Sequence, residues 1–310
     1  MRPKKCSQNR RVELELVVLV TGGAGFIGSH LACVLLDQGF EVRVFDKVRP
    51  PNDRVDWFKG DLLSKENVFD ATKDVEAVFH LAAIADVNVA VADPDLCLAV
   101  NELGTLNLLR ASSGREVNRF LLASTVWVYG KSEGVVTEQT PIPPPLDTYT
   151  KTKIGQEHLV HSWCSSHSLS YTILRYDIPY GPGMRGNMAI ASFVRRAMRK
   201  EPISIYGEGS QGRCWVFIED LVHANCLAMG EKARNEIINL AGNEFMTISQ
   251  IVDLLERAFG SIPVKHEPPR SGDFKGVLTN IEKARTLLGW SPKTSFSEGL
   301  SRYIASVQHT

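Results

Sequence analysis

The sequence predicts an α/β protein with a Rossmann-type doubly wound parallel sheet and a smaller C-terminal substrate-binding lobe. Three observations predict it. Short apolar runs alternate with segments of helical period from residue 14 to about 180. The first run leads into a glycine-rich turn, "VTGGAGFIGSH", with Gly22, Gly25 and Gly28 in sequence. The second run ends on an acid, Asp46, about 20 residues beyond that turn, as dinucleotide sites require.

The elements follow in order. "LELVVLV" (14–20) reads as a buried strand, and "SHLACVLLDQ" (29–38) as a helix stopped by Gly39. "EVRVFD" (41–46), "EAVFHLAA" (76–83), "RFLLAST" (119–125) and "SYTILRY" (170–176) read as further strands. Asp93 and Pro94 read as N-cap and first residue of an intervening helix. Beyond residue 180 the pattern loosens into Gly-rich loops, "GPGMRGN" and "YGEGSQGR", around one helix at 190–200. "TISQIVDLLERAFG" (247–260) is a helix with a Thr247/Gln250 capping box, an apolar face of Ile248, Ile251, Leu254 and Leu255, and Gly260 at its end. "PPRSGD" (268–273) is a loop, and a last helix follows.

The glycines have a chemical reading. A turn without side chains lets the chain approach a pyrophosphate, and the helix N-terminus offers it free N–H groups. Phe26 and Ile27 lie inside this turn. An Asp46 carboxylate at the adenosine ribose favours NAD by repelling a 2′-phosphate, while Lys47, Arg49 and Arg54 nearby keep NADP open. The expected organisation is an NAD-binding domain at 12–176 with a return segment at about 214–242, a substrate-binding lobe from 177–213 and 243–310, and a flexible basic arm at 1–11.

Composition narrows the partners. The 35 basic and 35 acidic side chains balance, which gives no footprint for nucleic acid. The six cysteines are scattered, with no CxxC pair, so neither a disulfide framework nor a metal site is expected and a reduced cytoplasmic setting fits. The apolar run after the basic arm is too short for a signal core or a membrane span.

Tyr149 and Lys153 lie one helical turn apart, after the fourth of these strands in the N-terminal half. Lowering a phenol from its usual value near ~10 by ~3 units takes ~4 kcal/mol. A cation at ~4 Å supplies about that at an effective dielectric of ~20. The spacing therefore suits a lysine that tunes a tyrosine into a general acid/base. A hydroxyl partner is expected at the end of the preceding strand, where Ser124 and Thr125 both qualify.

The chain resembles the extended short-chain dehydrogenase/reductase family, specifically its nucleotide-sugar epimerases and dehydratases. The likeness runs from residue 14 to 305 through "TGGAGFIGSH", "GDL" (60–62), "HLAA" (80–83), "NELGTLNLL" (101–109), "ASTVWVYG", "YTKTK", "LRYDIPYGPG", "IYGEGSQGR", "FIEDLVHA", "RSGD" and "LGWSPKTSFSEGL". The resemblance implies a UDP-hexose or UDP-hexuronate 4-epimerase that uses NAD and passes through a 4-keto sugar. It implies that Asp61 contacts adenine with Leu62 beside it, that Leu81, Ala82 and Ala83 run along the cofactor, and that Asn101 supports the site. It selects Thr125 over Ser124 as the catalytic hydroxyl. It assigns Asn187, Arg213 and Arg270 to the nucleotide sugar, and a homodimer to the helices of 94–112 and 149–166.

Three departures accompany the likeness. Related dehydratases carry an Asp-Glu pair directly after the catalytic hydroxyl, where this chain has Val126 and Trp127, which cannot transfer protons. Trp127 also counts against a UDP-glucuronate decarboxylase. Ile178 stands where an asparagine is usual, and Cys214 where an aspartate is usual. A 4-ketosugar reductase is the nearer rival. A non-catalytic NAD(P)-binding regulator is disfavoured because Thr125, Tyr149 and Lys153 are all present.

Overall fold

The structure is a computed structural model that describes residues 16–268 and 276–308. Seven parallel strands form its central sheet: β1 (Val17–Thr21), β2 (Glu41–Asp46), β3 (Asp56–Lys59), β4 (Val75–His80), β5 (Arg119–Thr125), β6 (Ser170–Tyr176) and β7 (Glu236–Leu240). Their order is 3-2-1-4-5-6-7. Strand order reverses between β1 and β4, which opens a crevice beyond their C-terminal ends.

The strand period divides each apolar run between two cores. Val18 and Val20 of β1, Phe79 of β4, and Leu121 and Ala123 of β5 pack on one face. There they meet Leu31 and Leu35 of the first helix (Phe26–Asp37) and Leu221 and Val222 of the helix Ile218–Leu227. Leu19, Val78, Phe120 and Leu122 pack on the other face, against Leu108 and Leu109 and against Val160 and Cys164 of the helix Thr148–His167.

The first helix begins at Phe26, three residues before the expected start, because its opening turn is part of the glycine motif. β4 ends at His80, so Leu81–Ala83, expected to continue the strand, leave the sheet there. β3 and β7 complete the sheet on its two edges. The helical segment begun by Asp93 and Pro94 runs through a π-helical turn, Ala99–Leu103, into Gly104–Gly114. Extra-residue turns of this kind displace a helix locally.

The C-terminal residues form a compact layer beside the first core. Thr247 and Gln250 exchange both bonds of their capping box at the start of the helix Ile248–Phe259. Ile251, Leu255, Trp290, Phe296 and Leu300 bury in the same core as β1 and the first helix.

Candidate active site

A cleft of about 890 Å³ lies beyond the C-terminal ends of β1, β4, β5 and β6. Gly22, Gly25, Phe26, Ile27, Gly28, Asp46, Asp61, Leu62, Leu81, Ala82 and Ala83 line its length, with Thr125, Tyr149 and Lys153 also on its wall.

The glycine turn is tight for a physical reason. Gly22 has φ +73°, and a Cβ there would sit 2.7 Å from the Ala82 nitrogen. A Cβ on Gly28 would sit 2.3 Å from the Gly22 carbonyl oxygen. Asp46 accepts from the backbone N–H of Ala24 at 3.1 Å and of Val48 at 3.1 Å, which ties the end of β2 to the turn. Burial would raise the Asp61 carboxyl, but the Leu63 N–H and the Lys47 ammonium outweigh it and hold the group below its ordinary value. The three cations that kept NADP open all face carboxylates: Lys47 with Asp61 at 2.9 Å, Arg49 with Asp53 at 2.9 Å and Arg54 with Asp37 at 3.0 Å.

Thr125 is the last residue of β5, and Tyr149 and Lys153 share one face of the helix Thr148–His167. The Lys153 ammonium donates to the Ala123 carbonyl at 2.8 Å. Burial lowers its pKa to about 8, opposed chiefly by the Glu157 carboxylate. The Tyr149 phenol is raised above its ordinary value, by burial first and then by Asp147, while the nearby Thr125 hydroxyl and the charge of Arg185 work the other way. The lysine is engaged by the strand, and without a second positive charge the phenol stays protonated.

The two hydroxyl candidates separate clearly. Ser124 donates to Glu157 at 2.5 Å, whereas the Thr125 hydroxyl accepts from the Trp127 N–H at 3.2 Å and lies near enough to Tyr149 to favour its phenolate. Asn101 sits in the π-helical turn, fully buried, and bonds to Ile84 and to the Thr152 hydroxyl.

Behind this site a chain of bonds fixes one tautomer. The Thr105 hydroxyl donates to the Asn101 carbonyl at 2.5 Å, so its oxygen accepts from Gln156 and from His80 Nε2. His80 Nδ1 then accepts from the Thr21 hydroxyl at 2.8 Å. Burial holds the imidazole neutral, lowering its pKa to about 3.

The substrate residues fall in different places. Asn187 donates to Asp86 at 2.8 Å and lines a neighbouring cavity of about 320 Å³ with Phe193, Ser204, Tyr206 and Gln211. Arg213 lies outside both cavities, with its guanidinium 5.7 Å from the Trp127 ring centre. Arg270 lies outside the described residues. Trp127 and Ile178 both line the main cleft.

Sequence reasoning missed Arg185 and Asp177, which also line the cleft. The signal for Arg185 was a cation inside "GPGMRGN". Asp177 sits one residue past the end of β6 and accepts from Ile178 N at 2.8 Å and Thr279 Oγ1 at 3.0 Å. Burial pushes it up to about 6, against those bonds, the Arg213 charge and a bond from the Cys214 backbone. Asp177 thus places a carboxylate beside Cys214. Burial raises the Cys214 thiol to about 11.

The family model for the NAD dependent epimerase/dehydratase family matches residues 18–241. The chain belongs to that family. Among its curated relatives is the UDP-glucuronate 4-epimerase of Thermodesulfobacterium geofontis, 33% identical over 92% of this chain and 94% of that one. Similar solved structures include the Thermotoga maritima UDP-glucose 4-epimerase with UDP-glucose, at TM-score 0.90, 33% identity and coverage of 95% of this chain and 99% of that one. The Bacillus cereus UDP-glucuronic acid 4-epimerase with UDP-glucuronic acid and NAD matches at TM-score 0.89, 32% identity and coverage of 95% and 99%. These epimerase/dehydratase neighbours share the whole fold, including the C-terminal layer. Among the described residues no group of His, Cys, Asp and Glu could hold a metal ion, and no helix is long and apolar enough to cross a membrane.

Proposed function

We propose that this chain is an NAD-dependent UDP-sugar 4-epimerase acting on a hexose or a hexuronate. One observation carries the reading: Thr125, Tyr149 and Lys153 meet on the wall of the same cleft whose floor is the glycine turn and Asp46. The cradle suits a dinucleotide. Its glycines leave no room for a Cβ, and Asp46 stands at the end of β2 where a ribose diol would bond. NAD bound there would supply a reversible hydride acceptor.

Tyr149 takes the proton from the C4 hydroxyl as the C4 hydrogen leaves as hydride, and it returns that proton when the 4-keto sugar is reduced on its opposite face. Thr125 hydrogen-bonds the same substrate oxygen and holds the phenol in line. Lys153, helped by the positive charge that a bound NAD would add, would favour the phenolate that burial alone opposes. Arg185 adds positive charge on the same side. Val126 and Trp127 offer no acid or base for eliminating water, so the chemistry stops at epimerisation.

Asn187, Arg213 and Arg270 grip the nucleotide sugar in this reading, with the arginines toward the diphosphate. The smaller cavity beside Asn187 gives the nucleotide room. The protein works as a cytoplasmic homodimer paired through the helices of 94–114 and 148–167, where Leu103 is 46% exposed. The free cysteines of the described residues fit a reducing compartment.

The test is to incubate the purified protein with UDP-glucose, UDP-glucuronate and their C4 epimers without added NAD, and to separate the products. Interconversion of C4 epimers supports the reading. Stoichiometric consumption of NADPH, or turnover at the normal rate in Tyr149→Phe, defeats it.

A further inference from the structure

Ser124 and Arg175 are partners across β5 and β6, one rung before Thr125 and Tyr176. A single carboxylate holds both. Glu157 Oε1 accepts from the Ser124 hydroxyl at 2.5 Å and from Arg175 Nε at 2.9 Å, and Oε2 accepts from Arg175 Nη2 at 2.6 Å. The two charged side chains are 3% and 4% exposed. Arg175 Nη1 continues to the Tyr129 hydroxyl at 2.9 Å, which donates to Asn239 of β7 at 2.7 Å. The network therefore joins the helix Thr148–His167, three strands and the turn that follows Thr125.

Tyr149, Lys153 and Glu157 follow one another at single-turn intervals on one helix face. Lys153 bonds to Ala123 and Glu157 bonds to Ser124. Two successive turns are thus fastened to the two residues that lead directly into Thr125. Such a double attachment fixes how far along β5 the helix lies. Tyr149, one turn further, has its place opposite Thr125 set by the same two bonds.

Stability alone does not call for this arrangement. Desolvating two ions offsets most of their attraction, and a well-packed apolar pair of similar volume is often as stable. We propose that Glu157 and Arg175 are positioning residues for the reaction, whose forked pair fixes the helix bearing Tyr149 and Lys153 against the end of β5. This rests on the reading of Tyr149 and Lys153 given above.

Glu157 also has an electrostatic effect. Lys153 is faced by Glu157 from its own helix, by Cys97 from the helix Pro94–Leu98 and by neutral His80 from β4. Of these, Glu157 is the strongest support for the ammonium form.

The experiment compares wild type, Tyr149→Phe, the double variant Glu157→Met with Arg175→Met, and Arg175→Lys. Each is assayed for melting temperature, retained NAD, and kcat and KM for a UDP-sugar across pH. The double variant is expected to fold and keep its NAD and KM, while kcat falls about tenfold or more, as misplaced reacting groups predict. Its alkaline limb should move to lower pH, because Lys153 loses the carboxylate that supports its charge. If the double variant does not fold, Arg175→Lys answers the question: it keeps the charge, loses the fork, and should lower kcat with KM unchanged. A folded double variant with wild-type kcat and pH profile, or failing that a folded Arg175→Lys with wild-type kcat, overturns the proposal. Turnover in Tyr149→Phe, or none in wild type, overturns instead the reading on which it rests.

Discussion

Asn101 holds the backbone of Ile84 with both ends of its carboxamide, accepting from the Ile84 N–H at 2.8 Å and donating to the Ile84 carbonyl at 3.1 Å. The same amide nitrogen reaches the Thr152 hydroxyl at 2.9 Å. One fully buried side chain thus joins the loop after β4 to the helix that carries Tyr149 and Lys153. An Asn101→Asp substitution puts a carboxylate oxygen against the Ile84 carbonyl. Loss of about 2–4 kcal/mol of stability is expected, since a buried donor is replaced by a repelling acceptor. Denaturant unfolding measures it, and a midpoint equal to wild type would refute the clamp.

The glycine turn gives a second test. In Gly28→Ala the new methyl would press on the Gly22 carbonyl and on the Gly23 Cα, both main chain. The turn must open, so NAD should be lost on purification and stability should fall by about 1–3 kcal/mol. Retention of stoichiometric NAD would show that the cradle is looser than its geometry.

Lys153 carries a pH signature. Its pKa is about 8 in the folded chain against ~10.4 when unfolded, so the unfolded state binds more protons between those values. Stability owed to this group therefore rises as pH climbs from about 8 to ~10.4 and is lost as pH falls through 8. At neutral pH the buried ammonium costs about 3 kcal/mol in the absence of ligand. Lys153→Met should accordingly melt no lower than wild type at pH 7, yet lose turnover by about 100-fold or more. Thermal melts of both proteins from pH 7 to 10.5 would show the gap closing if the assignment is right.

Asp46 decides between the two dinucleotides. Removing its carboxylate in Asp46→Ala should weaken NAD binding by about tenfold or more, the usual worth of hydrogen bonds to a charged group. Binding of NADPH should weaken less or improve. Titration of cofactor-stripped protein measures both, and an unchanged ratio would remove Asp46 from the ribose.

Much of this was readable in the sequence, for identifiable reasons. The bounds of β2, β5 and β6 follow from apolar runs flanked by turn residues, and the buried strands of a parallel sheet give that signal at its strongest. β3 has only "DWFK", a half-exposed edge strand with no apolar run to announce it. Gly22, Asp46, Tyr149 and Lys153 could be placed together because strand–turn–helix spacing fixes their register. The direction of Lys153 could not. Its choice of Ala123 depends on a strand 30 residues earlier, and spacing along one helix says nothing about that. Asp177 was hidden for a similar reason, since its partners Thr279 and Cys214 come from distant segments.

The swollen turn at Ala99–Leu103 has a consequence for chain length. A π turn is an ordinary helix with one residue too many, so a one-codon deletion there would let Pro94–Leu98 and Gly104–Gly114 keep their seats while erasing only the protrusion that carries Asn101. Loss of a single amino acid at this point would then uncouple the loop after β4 from the helix bearing Tyr149 and Lys153, even with every other motif intact.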